Sequence, residues 1–296
     1  MTKFIVSTDS TADLYANYAA ENDVRIAPLT FTIEKEGVVT EYLDNFTEYA
    51  QYRDFYAQLR DKALPRTAML NYEAHMRHFR AIAESGAENV LHFTISSGLA
   101  DTVHVARQAA ADIRKEYPKF NCIPFDSLAA TIGQGELVYE AVRLRDAGYT
   151  LEEAYEKIKD LPMHFQYLIS ADDLNFLQRG GRVGKVSAVF GTALQIKPVM
   201  TFTADGKLEV TAKVRRTRGV IQAAMEKMDK FPPSEEGRMI HIVHTDAEED
   251  ALLLSQEIES KYGFRPEISI MGPVIGTHVG PGGVSVIWKS DSLRTE

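Results

Sequence analysis

At 296 residues, 45% hydrophobic and 25% charged, the chain has the composition of a folded protein with room for two domains. Its 33 basic and 42 acidic residues leave a formal charge of −9, which argues against broad binding to nucleic acid or anionic membrane while permitting a local basic patch. A single cysteine, Cys122, excludes an internal disulfide, and no Cys/His cluster has zinc spacing.

The opening "MTKFIVSTDS" runs into a strand-like segment without the apolar core or cleavage site of a signal peptide. No apolar run approaches a membrane span, and the expected location is the cytoplasm. "KFIVST" (3–8) reads as a strand and "TADLYANYAAEN" (11–22) as a helix. "VRIAPLTFTI" (24–33) reads as extended, and "TEYAQYRDFYAQLRD" (47–61) has helical spacing. "PRTAMLN" interrupts before the helix "YEAHMRHFRAIAESG", and Thr67 is read there as a helix cap. "NVLHFTIS" (89–96) and "NCIPFDS" (121–127) are strands, each followed by a helix, the second ending at Asp146-Ala147-Gly148.

Thr150 and Glu153 form a capping-box signature at a helix taken as the connector between domains 1–160 and 161–296. "HFQYLISA" (164–171) begins a second strand series. "MTFTADGKLEVT" predicts a hairpin with Asp205-Gly206 as a two-residue turn. "RMIHIVHTD", a helix through "SKYG", "PEISIMG" and "GVSVIWKS" complete it. The expected fold is two α/β domains, the first with a mostly parallel sheet and the second mixed. Ligands bind along the carboxyl edge of such parallel sheets, where Asp9-Ser10, Ser96-Ser97 and Asp126-Ser127 are expected.

"FLQRGGRVGK" (176–185) resembles a phosphate loop only at first sight. Before Gly184-Lys185 a Walker loop needs glycine where Arg179 stands, and Ser or Thr where Val186 stands; the dinucleotide fingerprint fails at Arg179 too. Gly180 with Arg179 reads as a helix C-terminus, whereas Arg182 lies between glycines, where backbone approaches a ligand closely. Ser97 lacks the glycines of a hydrolase elbow and is read as a helix N-cap, a position that also suits an anion. In "GTHVGPGG" (276–283), read as a loop, His278 is the polar group with reach. "KVRRTR" (213–218) precedes a helix, and its arginines are either a solvated turn or a docking patch.

"VSTDSTADL", "FTISSGLADT", "FDS", "LQRGGRVGKVSAVFGTALQIKP" and "THVGPGG" occur in this order across nearly the whole chain, and together they resemble the DegV family. The resemblance implies a bacterial fatty-acid-binding protein of two α/β domains, with the acyl chain in an apolar tunnel between them. By motif position it implies that Thr67, Ser97, Arg182 and His278 attend the carboxylate. It implies a carrier without catalysis, cofactor or metal of its own, whose bound acid a separate ATP-dependent fatty-acid kinase phosphorylates. The sequence departs from the family's usual Ser-Gln-Pro-Ser after the threonine, with Ala68-Met69-Leu70-Asn71 there, and from its usual segment after the paired serines, with Ala100-Asp101. Two alternatives remain open at this level: an acyl or phosphoryl transferase using Ser97 and His278, and a lipid-sensing regulatory module docking through Arg215, Arg216 and Arg218.

Overall fold

The computed structural model describes residues 4–15, 17–182, 195–235 and 238–294. The Gly184-Lys185 pair and most of the stretch that follows it, through residue 194, lie outside the described residues.

Strand β1 (Ile5–Asp9) leads into a short 3-10 turn, Ser10–Ala12, and only then into a four-residue helix, α1 (Tyr18–Glu21). The continuous helix expected over 11–22 is broken because Asp13 and Asn17 both take left-handed backbone, at φ 46° and 66°. The extended stretch is two strands, β2 (Val24–Ala27) and β3 (Thr30–Lys35), separated at Pro28-Leu29. A further strand, β4 (Val38–Leu43), follows, exposed along its whole length. After α2 (Tyr49–Arg60), the stretch read as an interruption is strand β5 (Leu64–Ala68). Thr67 lies on that strand and caps nothing: α3 (Tyr72–Glu84) is capped by Asn71, whose side chain accepts from Ala74 N–H at 2.9 Å. Asn71 stands immediately before the first helical residue, where a cap must be.

The chain continues through β6 (Asn89–Thr94), α4 (Thr102–Glu116), β7 (Asn121–Asp126), α5 (Ile132–Asp146) and α6 (Leu151–Ile158), the last with the expected Thr150–Glu153 capping box. Then come β8 (Phe165–Ser170), α7 (Leu174–Gly180), β9 (Ile196–Phe202), β10 (Leu208–Arg215), α8 (Arg216–Lys230), β11 (Ile240–His244), α9 (Glu248–Tyr262), β12 (Glu267–Ile270), α10 (Pro273–Val279) and β13 (Val284–Lys289).

These elements form two compact units. One holds Met1–Thr32, Glu41–Thr47 and Thr67–Pro162; the other holds Ile33–Thr40, Glu48–Arg66 and Met163–Glu296. The first is built on an all-parallel sheet in the order β2-β1-β6-β7. Its central strands are near-continuous buried runs, as a sheet covered on both faces requires. Phe79, Ile82, Val90, Ala106, Ile113 and Phe120 fill one face beneath α3 and α4. At the carboxyl edge the buried Asp9 carboxylate accepts from Thr11 N–H (3.1 Å), Gln134 Nε2 (2.9 Å) and Ile95 N–H (2.9 Å), tying β1, α5 and the end of β6 together.

The second unit carries a mixed sheet, β10-β9-β8-β13-β11-β12, in which β11–β12 is parallel and the other pairs are antiparallel. Trp288 is fully buried among Leu168, Val220, Met228 and Leu254, and its indole donates to the Phe231 carbonyl at 2.7 Å. The β9–β10 hairpin exists, but its turn is longer than two residues: Thr203 N–H bonds the Lys207 carbonyl at 2.8 Å, and Gly206 takes φ 72° inside the loop. A three-residue loop closed by a left-handed glycine fits that pattern. Helix α2 belongs here as well, with Tyr56 Oη donating to the Met271 carbonyl (2.8 Å) and Arg60 to the Asp246 carbonyl (2.9 Å).

Candidate functional site

In the second unit the glycine-rich stretches read from the sequence meet. Helix α7 starts at Asp173, whose side chain accepts from Asn175 N–H at 2.9 Å, and stops at Gly181 in left-handed backbone, φ 68°. Arg179 lies in its last turn, as expected, with its guanidinium 4.6 Å from the Phe176 ring centroid. Gly180 closes the helix rather than capping it, and its missing side chain has a purpose. A Cβ there would stand 2.2 Å from Nδ1 of His278. The Arg182 guanidinium donates back to the Gly180 carbonyl.

His278 sits in the last turn of α10, so the stretch read as a loop is helical up to Val279. Pro273 at the first turn suits a helix start, and Gly280, at φ 74°, ends it. Glycines inside the stretch serve close packing: a Cβ at Gly276 would meet the Tyr56 hydroxyl at 2.3 Å. The His278 ring is held against Gly180 and beside the Arg182 charge. Burial first, and that positive charge second, push its pKa down to about 4, leaving a neutral imidazole at neutral pH. Burial also works against the Arg182 cation and lowers its pKa. One guanidinium with one neutral imidazole offers a single positive charge and directional hydrogen bonds, a set matched to a monoanion such as a carboxylate.

Ser97 and Thr67 belong to the first unit. Ser97 occupies the turn between β6 and α4 and is not the helix cap expected of it; the residue before α4 is Asp101. Ser96 shapes that turn, its hydroxyl accepting from Gly98 N–H at 3.1 Å and its carbonyl from Leu99 and Ala100. Ser97 donates its backbone N–H to Asp126 at 3.1 Å, and the same carboxylate oxygen accepts from Leu128 N–H at 3.0 Å. Leu128 and Thr131 nearby both have positive φ, 48° and 54°. Thr67 is half-buried on β5. The structure therefore brings Arg182 and His278 together, and it places Ser97 on the carboxyl edge of the parallel sheet.

Arg215, Arg216 and Arg218 stand at the end of β10 and the first turn of α8, lining a groove of about 580 Å³ with Gln222 and Glu226. The Arg216 backbone N–H donates to the Gln195 carbonyl at 2.9 Å, and its guanidinium reaches the Gln195 side chain. Among the described residues no group of His, Cys, Asp and Glu could hold a metal ion, and no helix is long and apolar enough to cross a membrane.

Sequence reasoning passed over Asp126 as the holder of Ser97, and Gly180 as the seat of His278. The first lay within the expected sheet edge; the second joins residues far apart in the chain and has no local signal.

A family model described as uncharacterised protein, DegV family, matches residues 3–291. A DegV domain-containing protein of Lactococcus lactis is 31% identical over 295 residues, covering 98% of this chain and 99% of its own. A DegV family protein from Thermus thermophilus, whose structure is described as showing fatty acid binding, is 27% identical with a TM-score of 0.81, over 98% of this chain and all of its own (100%). A stearic acid-binding protein from Eubacterium ventriosum is 25% identical with a TM-score of 0.82, over 98% of each chain.

Proposed function

The chain belongs to the DegV family, and on that premise we propose that it is a cytoplasmic carrier that binds a long-chain fatty acid and offers the carboxylate to an ATP-dependent fatty-acid kinase. The observation that carries the reading is the Arg182–His278 pair, seated by Gly180. Arg182 supplies the countercharge, and the neutral His278 a hydrogen bond. Thr67 and Ser97 are proposed as the hydroxyls that complete the carboxylate's shell. A buried carboxylate is costly unless paired and fully hydrogen-bonded, and a guanidinium, an imidazole and two hydroxyls are groups that can meet that need without a nucleophile or metal. Affinity comes from the tail: at roughly 0.8 kcal/mol per methylene, about fourteen of them contribute on the order of 11 kcal/mol before ordering costs.

The carrier reading is favoured over a Ser97–His278 transferase by the imidazole itself. A general base works best with a pKa near the operating pH. His278, held at about 4, is a weak base at neutrality. Arg215, Arg216 and Arg218 are proposed as the surface that docks the kinase.

Mass spectrometry of the purified protein, native and then denatured with organic extraction, tests the reading. A stoichiometric long-chain fatty acid is expected on denaturation. Folded protein that carries none and refuses added stearate would overturn the proposal. Replacing both Arg182 and Ser97 with alanine is expected to weaken retention at least tenfold, and unchanged retention would remove these residues from the site.

A further inference from the structure

The carboxylate site proposed above depends on how firmly α7 is held against α10, and a lysine outside that site is built into the joint. Asp172 stands just before the Asp173 cap of α7, and Phe176 and Gly180, four residues apart, lie on one side of the helix. They meet, in reverse order, Gly282, Gly280 and His278. A Cβ on Gly282 would lie 2.2 Å from the Asp172 carboxylate, one on Gly280 2.4 Å from the Phe176 ring, and one on Gly180 2.2 Å from the His278 ring. The helix joint therefore runs from an acidic end at Asp172 to the His278 end.

At the acidic end stands Lys197, the first residue of the "KP" pair on β9. Its side chain is 14% exposed. Its ammonium bonds Asp172, lies 3.5 Å from Asp250 Oδ2 and donates to the Gly282 carbonyl at 3.4 Å. Asp250 in turn accepts from the Thr217 hydroxyl at 2.7 Å. One cation thus ties β9 to the start of α7, to α9 and to the loop that leaves α10. We infer that Lys197 is a positioning residue for the Arg182–His278 pair, fixing the α7–α10 register through Asp172 and the Gly282 carbonyl. It rests on the carboxylate-site reading only for its consequence, not for its geometry.

The experiment compares full-length K197M and K197R with the parent protein. NMR follows the His278 ring, assigned with H278Q, and binding is measured for stearate and for the uncharged 1-octadecanol. Expected in K197M is a displaced His278 resonance with a titration midpoint moved toward 6.5, and at least a tenfold loss of preference for stearate over the alcohol. K197R, which keeps the charge, is expected to restore both. A general loss of stability would weaken both ligands alike and leave the preference intact. An unchanged His278 resonance and midpoint in K197M, or the same disturbance in K197R, would overturn the inference. A displaced His278 with no stearate preference even in the parent would uphold the positioning role and count against the carboxylate reading.

Discussion

Asp126 holds Ser97 by its backbone and leaves the serine hydroxyl out of that bond. One carboxylate oxygen takes two N–H groups, from Ser97 and Leu128, at a bend where Leu128 itself has positive φ. Asp126→Ala strands two donors at once and releases a strained turn. The expected cost is about 1–2 kcal/mol in urea unfolding, since two half-buried donors lose a charged acceptor but keep some access to water. Asp126→Asn keeps an acceptor oxygen and is expected to cost less than half as much. Equal losses in the two variants would mean that the charge, not the hydrogen bonds, holds the turn. This role was half legible: the strand end "FDS" marks the edge of the sheet, yet nothing in the local pattern says that its aspartate reaches across to the neighbouring strand's turn.

Among the elements, α7 and α10 show what glycine does at a close helix contact. Gly180 and Gly181 are adjacent and have opposite needs. At Gly180 the obstacle is the His278 ring; at Gly181 no atom lies within 4 Å of where a Cβ would stand, but φ is 68°. Gly180→Ala is expected to push the ring aside, costing about 1–3 kcal/mol as overpacking does and weakening stearate binding. Gly181→Ala should cost about 1 kcal/mol for left-handed backbone and leave binding largely intact. If calorimetry and lipid titration ranked the two the other way, the close seat of His278 would be wrong. The same contact explains what the sequence hid. Density of glycine in "GTHVGPGG" reads as loop, whereas three of these glycines permit approach to Tyr56, Phe176 and Asp172. Strand β4 was hidden for another reason: all six positions are exposed, so no apolar alternation marks it. Periodic elements with a buried face, such as α3, α4 and α9, were plain from spacing.

Across the whole molecule the buried histidines set the response to acid. In the first unit His75 and His78 of α3 cluster with His92 of β6, with ring centroids 5.5 Å (His75–His92) and 5.6 Å (His78–His92) apart. The Ser7 hydroxyl bridges His78 Nε2 (2.7 Å) and His92 Nδ1 (2.9 Å), while both His75 ring nitrogens are buried without a hydrogen bond. Burial pushes His75 and His78 down to about 4 and His92 well below its ordinary value; neighbouring histidines add to this at His78 and His92, and Arg25 at His78. His241 and His278 of the second unit are pushed to about 4, chiefly by burial. Each is neutral when folded and charged when unfolded below about 6.5. Their contribution is therefore fully present above pH 6.5 and is lost as the pH falls toward 4. Asp44 works the other way: burial, with the Asp9 charge adding to it and the Ser10 hydroxyl opposing, raises its carboxyl to about 7, so its contribution fades as the pH rises through that value. Burial raises Asp9 as well, and the five histidines, with His244 lowered in the same way, outweigh these two aspartates in the acid range. Each histidine gives a slope approaching 1.4 kcal/mol per pH unit where the unfolded chain is protonated and the folded chain is not. Urea unfolding at about pH 4.5, 5.5, 6.5 and 7.5 is expected to show stability falling steeply below 6.5 and nearly level above it. His75→Phe sharpens the test, because it removes one of these protons and replaces two unpaired ring nitrogens with apolar surface beside Phe79. That variant should be more stable than the parent at pH 5 and show a shallower slope. A profile that is flat in the parent, or unchanged by the substitution, would mean these rings are hydrated and titrate near their ordinary value.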